Sequence, residues 1–561
     1  MIRVAAALVL TAVAVAAQSP SRATRAPFSV VEATIADMRA ALDSGRVTSR
    51  QIVSQSLARI ATYESRLHAT LYVNPRALDE ADVRDRERRT GRVRSPLHGI
   101  PVALKDNIHT TDMPTTGGAL AFAGLIPPYE ATLTTHLRQA GAIILAKTTM
   151  TELANWVADG MPPNYNSLAG FAFNPYDPRR DPRDATFDGR PVLSTGGSSS
   201  GIGTAMSFWV ANVGTETSGS ILSPSNQTML VGIKPTLGRI SRYGVIPIAA
   251  EQDTPGPMAR TVADAATMLG ALEGASPDAH DAATSACMPP PNRDYTRFLK
   301  RDGLKGARIG VPRAFYYDAA PVPGEKRVDG GLNAAQKAVM ADAIAAMRAQ
   351  GATVVDPADV PSIVTTDPAR SLMRWPVCNG SADAKSRDDD CSVVFKYGMK
   401  RDFNAWLASL GGRAPVKTLT ELRAWNRAHE RAGTLKFGQA NLDNSDEMDV
   451  AADRARYEAD RAKDLALSRT EGIDAVMRTH KLDALIFASN TGAAIAARAG
   501  YPTVIVPFGT VPNDSMPSGF DPKPAPLGVS FTGLACSEPR LIELAYAFEQ
   551  ATKRRAPPKL D

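Results

Sequence analysis

Apolar residues in this chain fall more often in short unbroken runs than in alternation. Ile100-Pro101-Val102-Ala103-Leu104 and Ala142-Ile143-Ile144-Leu145-Ala146 are two such runs, bounded by glycine or polar residues. A strand with one face in water alternates, so a run apolar throughout reads as a strand covered on both faces. Residues 307–311, 352–355, 483–487, 503–506 and 529–532 also read as strands. Between them the period changes to that of helices, at 31–44, 49–63, 131–140 and 332–350. Thr48 and Gln51 have capping-box spacing, and Val53, Leu57 and Ile60 share one face of the helix they open. Residues 202–213 predict a buried helix and strand, 223–232 a helix, and 232–248 turns and short strands. Residues 396–470, charged and helix-forming, predict a helical insertion. Ser537 and Pro539 mark the start of a last helix. The pattern predicts an α/β fold, a sheet with helices on both faces, in one large domain over 31–555.

Three segments lie apart from this pattern. Arg3 precedes an apolar run from Val4 to Ala17, with small residues before Gln18. That is the form of a cleavable signal peptide over 1–17, and it is shorter than the ~20 residues of a membrane-spanning helix. Residues 18–30 read as a loose leader, and 556–561 as a mobile tail. A secreted or periplasmic protein with no stable membrane span is the expectation. Inside the domain, 158–194 is a long irregular connection rich in Pro, Asn, Asp and Arg, as in a functional loop or surface insertion.

Composition narrows the classes. The 561 residues are 44% hydrophobic and 22% charged, a globular balance. A net charge of +6 over this length, with no basic run interleaved with aromatics, argues against a nucleic-acid partner. The basic patch Arg86 to Arg94 reads as a solvated helix face. Seven scattered histidines and four cysteines form no cluster with ligand spacing, so neither a metal nor another cofactor is expected. Cys378 and Cys391 bracket an acidic loop and are placed to staple it, whereas Cys536 reads as a small buried residue.

The chemistry concentrates between Gly196 and Ser220. Gly196-Gly197-Ser198-Ser199-Ser200-Gly201 opens the stretch and Gly214-Thr215-Glu216-Thr217-Ser218-Gly219-Ser220 closes it. Glycines admit close approach of a substrate, and serines supply hydroxyls that a base can activate. Gly197 to Gly201 matches a G-x-S-x-G elbow, which would make Ser199 the nucleophile with His429 or His480 as base. The other available base is a lysine made neutral by burial. Lys105 and Lys147, each at the end of an apolar strand, are equal candidates on these grounds, and a salt bridge from Lys105 to Asp106 is the structural alternative.

Several ordered segments resemble the amidase signature family, whose members hydrolyse amides with a Ser–cis-Ser–Lys triad. They are Gly99 to Asn107, Gly196 to Gly201, Gly214 to Ser220, Gly232 to Thr236, Gln252 to Thr261, and the C-terminal runs 500–507, 527–531 and 545–551. The resemblance implies a large mixed sheet and an acyl-enzyme mechanism on a small-molecule or peptide amide. It makes Lys105 the base, Ser198 the bridging serine after a cis Gly197–Ser198 bond, and Ser220 the nucleophile. Backbone N–H groups at Thr217, Ser218 and Gly219 would form the oxyanion hole, with Ser199 in support and Lys147 structural. The pattern is similar to peptide-amidase-like members. A component of a tRNA-dependent amidotransferase complex, a catalytically silent relative and the Ser199 elbow enzyme are the alternatives. Two departures stand out. Ser198 and Ser220 are 22 positions apart, two fewer than is usual in the family, and Leu222 occupies a position often held by Arg.

Overall fold

The computed structural model describes residues 27–183, 188–197, 201–380, 385–513 and 516–560. Eleven strands form one mixed sheet. In chain order the strands are β1 (Thr70–Val73), β2 (Pro101–Lys105), β3 (Ile143–Thr148), β4 (Tyr165–Asn166), β5 (Gly170–Phe171), β6 (Ala211–Glu216), β7 (Val231–Lys234), β8 (Thr254–Ala259), β9 (Arg308–Gly310), β10 (Ala320–Pro321), β11 (Val328–Asp329), β12 (Thr353–Val355), β13 (Ala484–Ala488), β14 (Thr503–Val511) and β15 (Ala525–Thr532). The sheet runs β1-β3-β2-β6-β8-β7-β14-β15-β13-β9-β12, and β4 with β5 and β10 with β11 make small ribbons.

β2 runs parallel to both β3 and β6, while β8 runs antiparallel to β6. The carboxyl ends of β2 and β6 therefore lie together, beside the start of β8. β2, β3, β6, β7 and β8 are buried at every position, in keeping with helices on both faces.

The helix Ser49–Leu67 opens with the expected capping box between Thr48 and Gln51. The helices Thr132–Gln139, Ala334–Ala349 and Glu538–Thr552 lie where the periodicity places them. Residues 223–232 do not form one helix. The helix ends at Gln227, and Val231 begins β7, because its β-branched residues complete the sheet between β8 and β14.

No strand was assigned from the sequence to Thr254-Pro255-Gly256-Pro257-Met258-Ala259, which forms β8. Prolines fit there because β7 pairs with β8 only at Met258 and Ala259, leaving Pro255 and Pro257 needing no second ladder. The helix Val262–Leu272 was also not anticipated, and the helix face expected at Arg86 to Arg94 is the end of a helix Ala77–Arg89 that starts earlier and stops sooner. From Val394 to Leu465 the chain is helical, and Phe395, Phe403, Trp406, Leu419 and Leu442 share an apolar cluster with Phe122, Leu153 and Ile248.

Two disulfides close the fold. Cys378 bonds Cys391, as their spacing suggested. Cys536 is not a lone buried residue but bonds Cys287, 249 positions away. Sequence spacing carries no trace of so distant a pair, which meets only when the last helix packs beside the sheet. No described helix is long and apolar enough to cross a membrane. The signal-peptide segment lies outside the described residues.

Candidate active site

The site is built at the shared end of β2, β6 and β8. Lys105 is the last residue of β2 and is completely buried. Its Nζ donates to the carbonyl oxygen of Thr215 at 3.0 Å and lies 2.8 Å from Thr215 Oγ1. Asn107 Nδ2 donates to the same hydroxyl oxygen at 2.9 Å. Burial disfavours the ammonium and brings the Lys105 pKa down to about 7, against an upward pull from the carboxylates of Asp253 and Glu216. A lysine so placed gains or loses a proton near neutrality.

Asp106 does not pair with Lys105. Successive strand residues point to opposite faces, and Asp106 turns to Lys147, whose Nζ lies 3.3 Å from Asp106 Oδ1. Lys147 also donates to Thr115 Oγ1 and the Pro114 carbonyl. This ion pair is fully enclosed and separates the two lysines that the sequence left equal.

Beyond Thr215 the chain turns through Thr217-Ser218-Gly219-Ser220. Gly219 holds φ +87°, a conformation that glycine takes without penalty. A methyl group there would lie 3.3 Å from Asn490 Nδ2, so the turn passes close to Asn490. Glu216, the last residue of β6, reaches forward: its Oε2 accepts from the N–H of Ile221 at 2.7 Å and of Leu222 at 3.0 Å. That carboxylate caps the helix Leu222–Gln227 and fixes Ser220 just ahead of it. Lys234, also fully buried, has its pKa lowered to about 8 by desolvation, with Glu216 and Glu538 opposing the shift. Leu222 is core, packed with Ala493 and Ile505, which accounts for an apolar residue at that position.

Asp253 secures the other side of the turn. Its Oδ1 accepts from Thr217 Oγ1 at 2.5 Å, and its Oδ2 accepts from the N–H groups of Ile248 and Ala249. Gln252 Nε2 donates to the Thr217 carbonyl at 3.0 Å. Burial raises the Asp253 pKa to about 6, with hydrogen bonds and Arg242 pulling it back and Asp402 adding to the rise.

Ser198 and Ser199, with the Gly197–Ser198 peptide bond, lie outside the described residues. The described residues that precede them are Gly196 and Gly197. Gly196 has φ +81°, and a methyl group on it would sit 2.4 Å from the backbone nitrogen of Pro224. A methyl on Gly197 would lie 3.6 Å from Ser220 Oγ. Gly197 thus lies directly beside Ser220.

The elbow alternative loses its support. Residues 191–197 form no strand, only a single bridge between Pro191 and Arg180. His429 is exposed and stacked on Trp425 at 3.8 Å, and the His480 carbonyl accepts from Arg308 at the far edge of the sheet. Sequence reading gave no role to Thr215, Asn107, Glu216 or Asp253. Two buried carboxylates flanking a Gly-Ser turn were the available signal.

Adjoining parallel strands of a mixed sheet thus end in a desolvated lysine and a serine turn, an arrangement suited to hydrolytic chemistry. The chain belongs to the amidase family: the family model described as Amidase matches residues 51–542. A probable amidase of Arabidopsis thaliana is 33% identical over 540 residues, covering 95% of this chain and 92% of the relative. The homologous component of the glutamyl-tRNA(Gln) amidotransferase of Synechococcus is 30% identical, covering 92% of this chain and 96% of its own. Among solved structures, the native peptide amidase of Stenotrophomonas maltophilia superposes with a TM-score of 0.78 at 35% identity, over 94% of this chain and 99% of that one. The protein is an enzyme that hydrolyses amides.

Proposed function

We propose that this amidase cleaves peptide-like amides through an acyl-Ser220 intermediate. Neutral Lys105 takes a proton from Ser198 as Ser198 takes one from Ser220. Ser220 Oγ attacks the amide carbonyl, and the N–H groups of Thr217, Ser218 and Gly219 receive the oxyanion; losing one such donor typically costs ~10²–10³ in rate. Ser198 returns the proton to the leaving nitrogen as the C–N bond breaks. Water then attacks the ester along the same relay and releases the acid. The observation that carries this reading is Lys105, completely buried and held at Thr215, with a pKa near 7 one strand away from the Ser220 turn.

The substrate class rests on likeness to the peptide amidase of S. maltophilia. A panel of C-terminal peptide amides, fatty amides and aryl amides, read by product mass, tests it. Release of ammonia from peptide amides supports the class; exclusive turnover of fatty or aryl amides refutes it. Export of the chain behind its N-terminal apolar segment is part of the same proposal. Two disulfides favour an oxidising compartment over the cytosolic setting of a tRNA-dependent amidotransferase. Sequencing the N-terminus of the mature protein after expression with its leader tests export.

A further inference from the structure

We propose that Asp253 is a positioning residue for the amidase reaction, a buried carboxylate that clamps the oxyanion turn through Thr217 and sets the charge of the base Lys105 across the end of β6. The inference rests on the reading of Lys105 as base.

The geometry has two halves. First, both oxygens of Asp253 are committed, one to Thr217 Oγ1 and the other to the N–H groups of Ile248 and Ala249. Ile248 is buried against the cluster that includes Leu153 and Phe395. Thr217 is therefore tied to a rigid wall rather than to solvent. Its carbonyl is separately held by Gln252, so the peptide planes that present N–H groups at Thr217 and Ser218 have little freedom. An oxyanion site works by being held in place before charge develops.

Second, Asp253 is the principal negative group acting on Lys105, with Glu216 next. Thr215, which holds Lys105 Nζ, and Asp253 line the same small void of about 10 Å³, with room for about one water. Charges separated by so little solvent are weakly screened. An ionised Asp253 favours the ammonium form of Lys105, so it keeps the base from being permanently neutral and able to hand its proton back. The groups facing Asp253 are Thr217, the cation Arg242 and the carboxylate Asp402. Arg242 is itself held by Asp281, and Asp402 by Arg401. Glu216 faces Lys105 from β6 and is engaged with Ile221 and Leu222.

The two halves separate by substitution. Asp253→Asn keeps the shape and removes the charge; Thr217→Val removes the tie and leaves the carboxylate in place. The pH dependence of kcat/KM on a turned-over amide is measured for both, with circular dichroism as the folding control. Asp253→Asn is expected to move the acid limb to lower pH, by on the order of one unit. It should also steepen that limb, because Asp253 no longer titrates alongside Lys105. Thr217→Val is expected to lower kcat about tenfold or more with KM unmoved, and, because the Thr217 hydroxyl helps keep Asp253 ionised, to move the acid limb in the same direction as Asp253→Asn but less far. An unmoved acid limb in a folded Asp253→Asn enzyme overturns the charge role, and an unchanged kcat in Thr217→Val overturns the clamp. Lys105→Ala distinguishes the underlying reading: if that variant keeps its activity and acid limb, Lys105 is not the base, whatever the other two show.

Discussion

Lys105 Nζ lies 2.8 Å from Thr215 Oγ1, across 110 residues of sequence, and the carbonyl of the same threonine takes a second hydrogen bond from it. The contact holds a desolvated amine at the mouth of the turn that ends in Ser220. With its pKa brought down to about 7, Lys105 is protonated below neutrality and able to accept a proton above it. Activity through a lysine base should therefore rise with pH through about 7 and reach a plateau above. A pH profile of kcat/KM checks this. An ordinary lysine would keep the rise near pH ~10.4.

Ser220→Ala should lose hydrolysis by on the order of 10³-fold or more, since no other group forms the acyl bond. The side chain is small and Ser220 is not part of the capping by Glu216, so melting temperature should hardly change. Active-site titration with a fluorophosphonate and a thermal melt read both outcomes. Labelling that persists in this variant would place the nucleophile elsewhere.

The two strand-end lysines should behave oppositely on truncation. Lys147→Ala leaves Asp106 buried without its partner, a lesion that typically costs about 3–5 kcal/mol, so the variant should melt early or fail to accumulate. Lys105→Ala removes a buried amine whose charged form is already disfavoured, so the fold should persist while turnover is lost. Denaturant unfolding alongside an activity assay separates them. A stable, inactive Lys147→Ala enzyme would reverse the two roles.

Reduction should weaken the fold unevenly. In the loop-entropy view a crosslink stabilises more when it closes a longer loop, typically by about 2–4 kcal/mol. Cys287–Cys536 closes a separation of 249 and Cys378–Cys391 one of 13. The Cys287→Ala/Cys536→Ala pair should therefore lower the melting temperature more than Cys378→Ala/Cys391→Ala. Melts with and without dithiothreitol test the ordering.

The strands nearest the base were readable because Ile100 to Leu104 and Ala142 to Ala146 are apolar throughout, the usual pattern of a strand covered on both faces. The capping box at Thr48 was equally plain, because both partners are local. What escaped was set by distant contacts. β8 hides behind Pro255 and Pro257, which break a strand unless its second neighbour stays away. Thr215 looks like any residue leaving a strand until β2 lies beside β6. Cys536 gave no hint of Cys287. The choice between Lys105 and Lys147 depended on which sheet face each occupies relative to Asp106, and local composition is blind to that.

The base exists only because β2 and β6 lie side by side. In an extended chain Lys105 is an ordinary solvated ammonium with no appetite for a proton at neutral pH. The serines, however reactive in the finished enzyme, then have nothing to activate them. Catalytic competence is thus a property acquired at the moment the centre of the sheet closes. The nascent polypeptide is chemically quiet toward amides, its own included, for as long as it remains unfolded.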